Sequence, residues 1–215
     1  ELFQQRQEAD QWSSPPLISI VIPIFNPPTD ILREALESVI AQTAPNWELC
    51  IANGDPTNKE ICKLLDNYSK QDDRIRVKTL EKNLGIAGNT NAAIEMARGA
   101  FVAFLDHDDL LAPFAVYSVS KTVLEYPACD LIYSDEDHLT EDSKMRYEPF
   151  FKPAFSPDYL TGINYICHFL VIRKSIGDRL GWIRNGFEGA QDFDLILRAA
   201  EQSGLIAHIP QILYH

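Results

Sequence analysis

Positive charge is scarce in this sequence: nineteen Lys and Arg stand against 31 Asp and Glu, a formal net charge of −12. A groove for DNA or RNA needs clustered cations to neutralise phosphates, so nucleic acid is not an expected partner. Any anionic ligand would also be repelled by the overall field, and local donors or a metal cation would have to hold it. Cysteine is sparse. Cys50, Cys62, Cys129 and Cys167 lie far apart and form no Cys-x-x-Cys pair, which excludes a disulfide scaffold and makes a zinc site a poor reading. Long apolar runs are missing too. The longest, Leu17 to Phe25, contains a Ser and a Pro and falls far short of the roughly 20 residues of a bilayer span. No signal peptide opens the chain, so the expected location is cytoplasmic or peripheral at the inner membrane face. The chain begins with Glu and stops at Tyr214-His215 straight after an apolar run, so truncation at the C-terminal side is expected.

What is present is ordinary for a folded domain: 46% hydrophobic and 23% charged residues over 215 positions. Residues 1–16 are polar, Gln-rich and closed by Ser13-Ser14-Pro15-Pro16, a lead-in helix and linker; residues 17–215 read as one domain. Leu17 to Phe25 is a near-continuous β-branched run, the pattern of a strand buried on both faces. Ile31, Leu32, Ala35, Leu36, Val39 and Ile40 follow at helical spacing. The alternation continues with strands at 47–52 and 76–80, a helix opened by a Thr57/Glu60 capping box, a helix at 87–98 stopped by Gly99, and a strand at 100–105. A helix from Pro113, a strand at 130–133, a strand near 169–173, a helix near 192–202 and a last strand near 206–213 complete it. This rhythm predicts an α/β fold, a mostly parallel sheet flanked by helices. In such sheets ligands sit outside the carboxyl ends of the strands.

That rule selects three strand-end loops: Asn53-Gly54-Asp55, Asp106-His107-Asp108-Asp109 and Ser134-Asp135-Glu136-Asp137. The second packs three carboxylates into four residues. They could cap the next helix, but crowded carboxylates repel one another, and a hard divalent cation relieves that through oxygen ligation. The acids from Asp135 to Asp142 could equally be a solvated acidic loop, His168 a satisfied core histidine, His107 a solvent-facing residue or one that supports its acidic neighbours, and Trp47 and Trp182 packing residues. No P-loop or G-x-G-x-x-G follows the first strand. Lys82 to Asn89 is the glycine-bearing loop upstream of the acidic run, a tight turn or a phosphate or base contact.

Taken in order, Ile18-Ser19-Ile20-Val21-Ile22-Pro23-Ile24-Phe25-Asn26, Asn83-x-Gly85-Ile86, Asn91-x-Ala93 and Phe104-Leu105-Asp106-His107-Asp108-Asp109-Leu110-Leu111 resemble the family 2 glycosyltransferases. The resemblance covers nearly all of residues 17–215. It implies a GT-A fold, inversion, a nucleotide-diphosphate sugar donor (a UDP-sugar first) and Mn²⁺ or Mg²⁺. Tyr133 to Asp137 and Phe151-Lys152-Pro153 resemble a subgroup that builds cell-surface polysaccharides, which implies a saccharide or lipid-linked acceptor. By this resemblance Asp106-x-Asp108 is the D-x-D motif, with Asp108 binding the metal and Asp106 the ribose or the metal's water shell. Pro23, Phe25 and Asn26 line the nucleotide pocket, and Asn83, Gly85 and Asn91 belong to the donor set. Asn53 stands where the family usually carries a base-binding Asp. Asp192 is the catalytic base at a helix N-terminus, which is expected to keep it ionised. Gln191 replaces the usual Glu and joins Asp135 and Glu136 on the acceptor side. His215 falls where some members place a metal- or diphosphate-contacting His. Two rivals remain: a nucleotidyltransferase making activated sugars, and a non-catalytic nucleotide-sugar-binding module of a larger synthase.

Overall fold

The computed structural model describes residues 1–140 and 145–215. Glu141 and Asp142, expected in the acidic loop, lie outside the described residues. In chain order the elements are α1 (Leu2–Ala9), β1 (Ile18–Ile24), α2 (Thr29–Ile40), β2 (Trp47–Asn53), α3 (Lys59–Gln71), β3 (Ile75–Thr79), α4 (Gly85–Ile94) and β4 (Phe101–Phe104). There follow α5 (Ala115–Glu125), β5 (Leu131–Leu139), β6 (Arg146–Phe150), α6 (Pro157–Gly162), β7 (Leu170–Arg173), α7 (Lys174–Leu180), α8 (Gln191–Gln202) and β8 (Ile206–Tyr214).

The strands form a single sheet in the order β3-β2-β1-β4-β7-β5-β6, with β8 paired to β5. The first half is parallel throughout, β1 pairing with β2 and β4, and β2 with β3. Beyond β4 the sheet is mixed: β7 runs against both β4 and β5, and β6 against β5, while β8 pairs with β5 in parallel. β1 is buried along its whole length, because helices cover both faces. Ile18, Ile20 and Ile22 pack with Leu32, Leu36, Leu65 and Val119, from α2, α3 and α5. On the opposite face Val21 packs in one cluster with Ala92, Ala93, Ile176, Leu195 and Ile196, from α4, α7 and α8. The period-two alternation of β1 therefore serves two cores at once.

Local chemistry differs from the sequence reading at several ends. Asn58, not Thr57, caps α3, its side chain accepting from Ile61 N, while Thr57 Oγ1 donates to Asp55 at 2.6 Å. α4 ends at Ile94, so Gly99 is not its stop; a Cβ at Gly99 would fall 2.5 Å from the Leu17 carbonyl oxygen, and the close approach requires glycine. The lead-in helix is docked: Trp12 stacks on Tyr117 with ring centres 5.3 Å apart. Tyr117 Oη also donates to Glu8 at 2.6 Å. The largest difference is β5, which continues through the three acids to Leu139 instead of ending at Tyr133. Asp135 and Asp137 are buried, so the expected solvated acidic loop is a strand.

Candidate active site

β1 and β4 end side by side, and Leu105 N still donates to the Val21 carbonyl before the acidic run begins. A narrow cleft opens there, lined by Pro23, Thr90, Asp106, His168, Gln191 and Asp192. Asp106 thus meets Asp192, which lies in the first turn of α8. Burial pushes the Asp106 carboxyl up to about 6, and the negative charges of Asp192 and Asp108 add to it. Burial likewise raises Asp192 above the ordinary carboxylate range, although His168 and the Gln191 hydrogen bond pull the other way. The helix N-terminus, expected to keep this carboxylate ionised, pulls in the same downward sense, but desolvation outweighs it.

Gln191 braces this carboxylate. Its Nε2 donates to Asp192 Oδ2 at 3.0 Å, and its Oε1 accepts from Gly189 N at 2.7 Å. Asp194, two residues on, turns away and is held by Arg184 and Arg198, the latter at 2.6 Å.

The acidic run is laced to the end of β8. Tyr214 Oη donates to Asp109 Oδ2 at 2.6 Å and accepts from Asp106 N at 3.1 Å. Leu110 and His215 exchange both backbone hydrogen bonds at 2.9 Å. Burial pushes Asp109 up to about 6, against the pull of the Tyr214 hydroxyl. His168 is no core histidine: its ring stacks on Tyr214 at 4.7 Å, and its Nε2 lies 3.9 Å from Asp106 Oδ2. Among the described residues Asp106, Asp109 and His168 form a group whose potential ligand atoms all lie within 4.8 Å. Asp108 points elsewhere, its side chain 61% exposed. It lines a separate cavity of about 200 Å³ with Asp30, Glu34, Asp109, His138 and His215. The two metal-side expectations, Asp108 and His215, thus meet in one cavity.

The other expected residues divide. Pro23 enters the cleft, Phe25 is exposed beside it, and Gly85 opens α4 at φ +73°. Asn83 Oδ1 accepts from Gly85 N and from Asn89 Nδ2, both at 2.9 Å, which shapes the turn. Asn26 accepts from Asn58 at 3.0 Å. Asn53 is fully buried and accepts from Asp55 N at 3.0 Å, so its side chain is engaged within its own turn. Asn91 is bound to the Ile183 backbone at 2.8 and 3.1 Å, tying α4 to the chain after α7 rather than lining the cleft. Asp135 and Glu136 do not present free carboxylates to an acceptor. Asp135 accepts from Lys152 N at 2.9 Å and pairs with His208 at 2.7 Å, and Glu136 pairs with the fully buried Lys152 ammonium at 2.9 Å.

The sequence singles out neither His168 nor Tyr214 for the site, and Asp137 only as part of the 134–137 strand-end loop. The Tyr-His end of β8 was the one available signal, and it pointed to His215.

Residues 19–181 match the family described as Glycosyl transferase family 2. The uncharacterized protein y4gI of Sinorhizobium fredii is 45% identical over 201 residues, 93% of this chain and 22% of its own length. The O-antigen biosynthesis protein RfbC of Myxococcus xanthus is 39% identical over 200 residues, 93% of this chain and 16% of its own. The chain therefore spans about a fifth of these relatives. Among solved structures, S. aureus TarS 1-349 in complex with UDP-GlcNAc superposes with a TM-score of 0.76 at 17% identity, over 92% of this chain and 57% of that one. Mannosyltransferase PcManGT from Pyrobaculum calidifontis, in complex with GDP-Man and Mn²⁺, gives 0.69 at 14% identity, over 98% and 63%. With three quarters of its length matched and its GT-A architecture shared, the chain belongs to glycosyl transferase family 2.

Proposed function

We propose that this domain transfers a sugar from a nucleotide-diphosphate donor, a UDP-sugar first, to a hydroxyl of a growing cell-surface polysaccharide, with inversion at the anomeric carbon. The observation that carries this reading is the shared cleft of Asp106 and Asp192 at the carboxyl ends of β1 and β4. Asp192 takes the acceptor hydroxyl proton as that oxygen attacks the anomeric carbon from the face opposite the departing diphosphate. A carboxylate raised above its ordinary range is a better proton acceptor than a free one, which suits this role. Gln191 fixes the rotamer of Asp192, and Pro23, Thr90 and Asp106 bound the donor side of the cleft. Positioning and charge stabilisation then supply most of the barrier reduction.

Mn²⁺ or Mg²⁺ would be held by Asp108 and His215. Carboxylate and imidazole donors around a cavity of about 200 Å³ suit such a cation. Asp109 is already engaged by Tyr214, and His168 is stacked on that ring, which favours Asp108 and His215 over the tighter group. A cation held there would supply positive charge to offset that of a diphosphate reaching the cavity. The polysaccharide assignment is supported by the relative RfbC, and the UDP-sugar by the TarS complex.

Thermal shift against a panel of nucleotide sugars with and without Mn²⁺ identifies the donor, because a ligand of the native state raises apparent stability. NMR of the product then reads stereochemistry: an α-linked donor should give a β-linked product. Retained configuration overturns the mechanism.

A further inference from the structure

His215 has two ring nitrogens, and only one is free to face the cavity it shares with Asp108 and Asp109. Its Nδ1 lies 2.5 Å from Asp137 Oδ1. Asp137 sits on β5 with its side chain 4% exposed, and its other oxygen accepts from Arg146 Nε at 2.6 Å. A carboxylate gripped by a guanidinium on one oxygen is a pure acceptor on the other, so the imidazole must present Nδ1–H to it. Nε2 is then the nitrogen that carries a lone pair. The main chain at His215 is fixed independently by its two hydrogen bonds to Leu110, so the ring has one anchor in its backbone and one at Nδ1.

We propose that Asp137 is a positioning residue for the cation-binding cavity: it holds His215 in the Nδ1–H tautomer, with Nε2 directed at the space bounded by Asp108 and Asp109. This rests on the reading that His215 and Asp108 hold the divalent cation. A carboxylate behind a metal-binding imidazole fixes the ring, selects the tautomer and raises the basicity of the ligating nitrogen. Arg146, which stands opposite Leu139 where β6 pairs with β5, reaches across to Asp137 and keeps the carboxylate oriented toward His215. Without that support a neutral imidazole in water favours the other tautomer, whose Nε2 bears a proton and cannot ligate.

The first readout needs no metal and no variant. Long-range ¹⁵N–¹H spectra of the metal-free chain at pH 7.5 should show His215 as the Nδ1–H tautomer; finding Nε2–H overturns the proposal. The second titrates Mn²⁺ alone, followed by its electron paramagnetic resonance signal. Asp137→Ala should weaken Mn²⁺ binding at least tenfold, within the roughly 10- to 100-fold typical of such supporting groups, and Asp137→Asn, which can still accept from Nδ1–H, should recover part of it. Wild-type Mn²⁺ affinity in Asp137→Ala overturns the proposal. If His215→Ala itself binds Mn²⁺ like wild type, the cation assignment fails instead, and the metal-free tautomer still decides the role of Asp137.

Discussion

Tyr214 Oη donates to Asp109 Oδ2 at 2.6 Å while accepting from Asp106 N at 3.1 Å, so one hydroxyl at the end of β8 pins both ends of the acidic run. The acidic run proposed to carry donor chemistry is therefore held by the strand that pairs with β5 as well as by β4.

Removing that hydroxyl tests the lacing. Tyr214→Phe keeps the ring stacked on His168 but leaves the half-buried Asp109 carboxylate without its donor. The expected loss is about 1–3 kcal/mol in denaturant unfolding. Asp109 should then titrate still higher, since the hydroxyl is what pulls it down. Unchanged stability would mean that the backbone pairing of Leu110 with His215 suffices.

The Arg184–Asp194–Arg198 cluster gives a pH-dependent prediction. Both arginines hold the Asp194 carboxyl below its ordinary value of 3.8. With the folded value depressed, the unfolded chain binds more protons just below that value, so this stabilisation is full above it and fades as pH falls through the folded value. Asp194→Asn should therefore cost about 2–3 kcal/mol at pH 7, and the gap to wild type should narrow as pH falls below the ordinary 3.8. A gap independent of pH would assign the loss to packing instead.

Turnover should show the raised Asp192 carboxyl directly. A base works only when deprotonated, so kcat must rise with pH through its titration. The acidic limb should lie above the ordinary 3.8, because burial outweighs the opposing influence of His168 and Gln191. Gln191→Ala removes one of the groups holding it down and should move the limb further up. A limb at or below the ordinary value contradicts the desolvated-base reading.

The proposed cation site can be told apart from the group around His168 by substitution. Asp108→Ala and His215→Ala should each abolish Mn²⁺-dependent donor binding, whereas His168→Ala should retain it. The opposite pattern would move the cation to the group formed by Asp106, Asp109 and His168.

The parallel half of the sheet was legible because β1, β2 and β4 are apolar runs bounded by turn residues, and a strand end is where a carboxylate run stands out. The helix that Asp192 opens was legible as a helix near 192–202, but singling out Asp192 as the base rests on the family resemblance. What could not be read depends on strands distant in sequence. β5 was cut short at Tyr133 because three successive acids look like a loop. Each in fact finds a cation or imidazole on another segment: Asp135 finds His208, Glu136 finds Lys152, and Asp137 finds Arg146 and His215. Those partners come from β6, β8 and the chain just after each, and the pairing register of β5 with β8 shifts at Asp135. No local pattern encodes such a shift. His168 likewise reaches Asp106 only because β7 inserts between β4 and β5.

If Asp192 is the base, Asp192→Asn should all but stop the reaction without disturbing the site, since the amide preserves shape but cannot take a proton. Donor affinity and turnover should be measured together on the same preparation with Mn²⁺ present. The account predicts donor affinity near wild type with kcat reduced by roughly two to four orders of magnitude, the range of a lost general base. Turnover within a few-fold of wild type would contradict it.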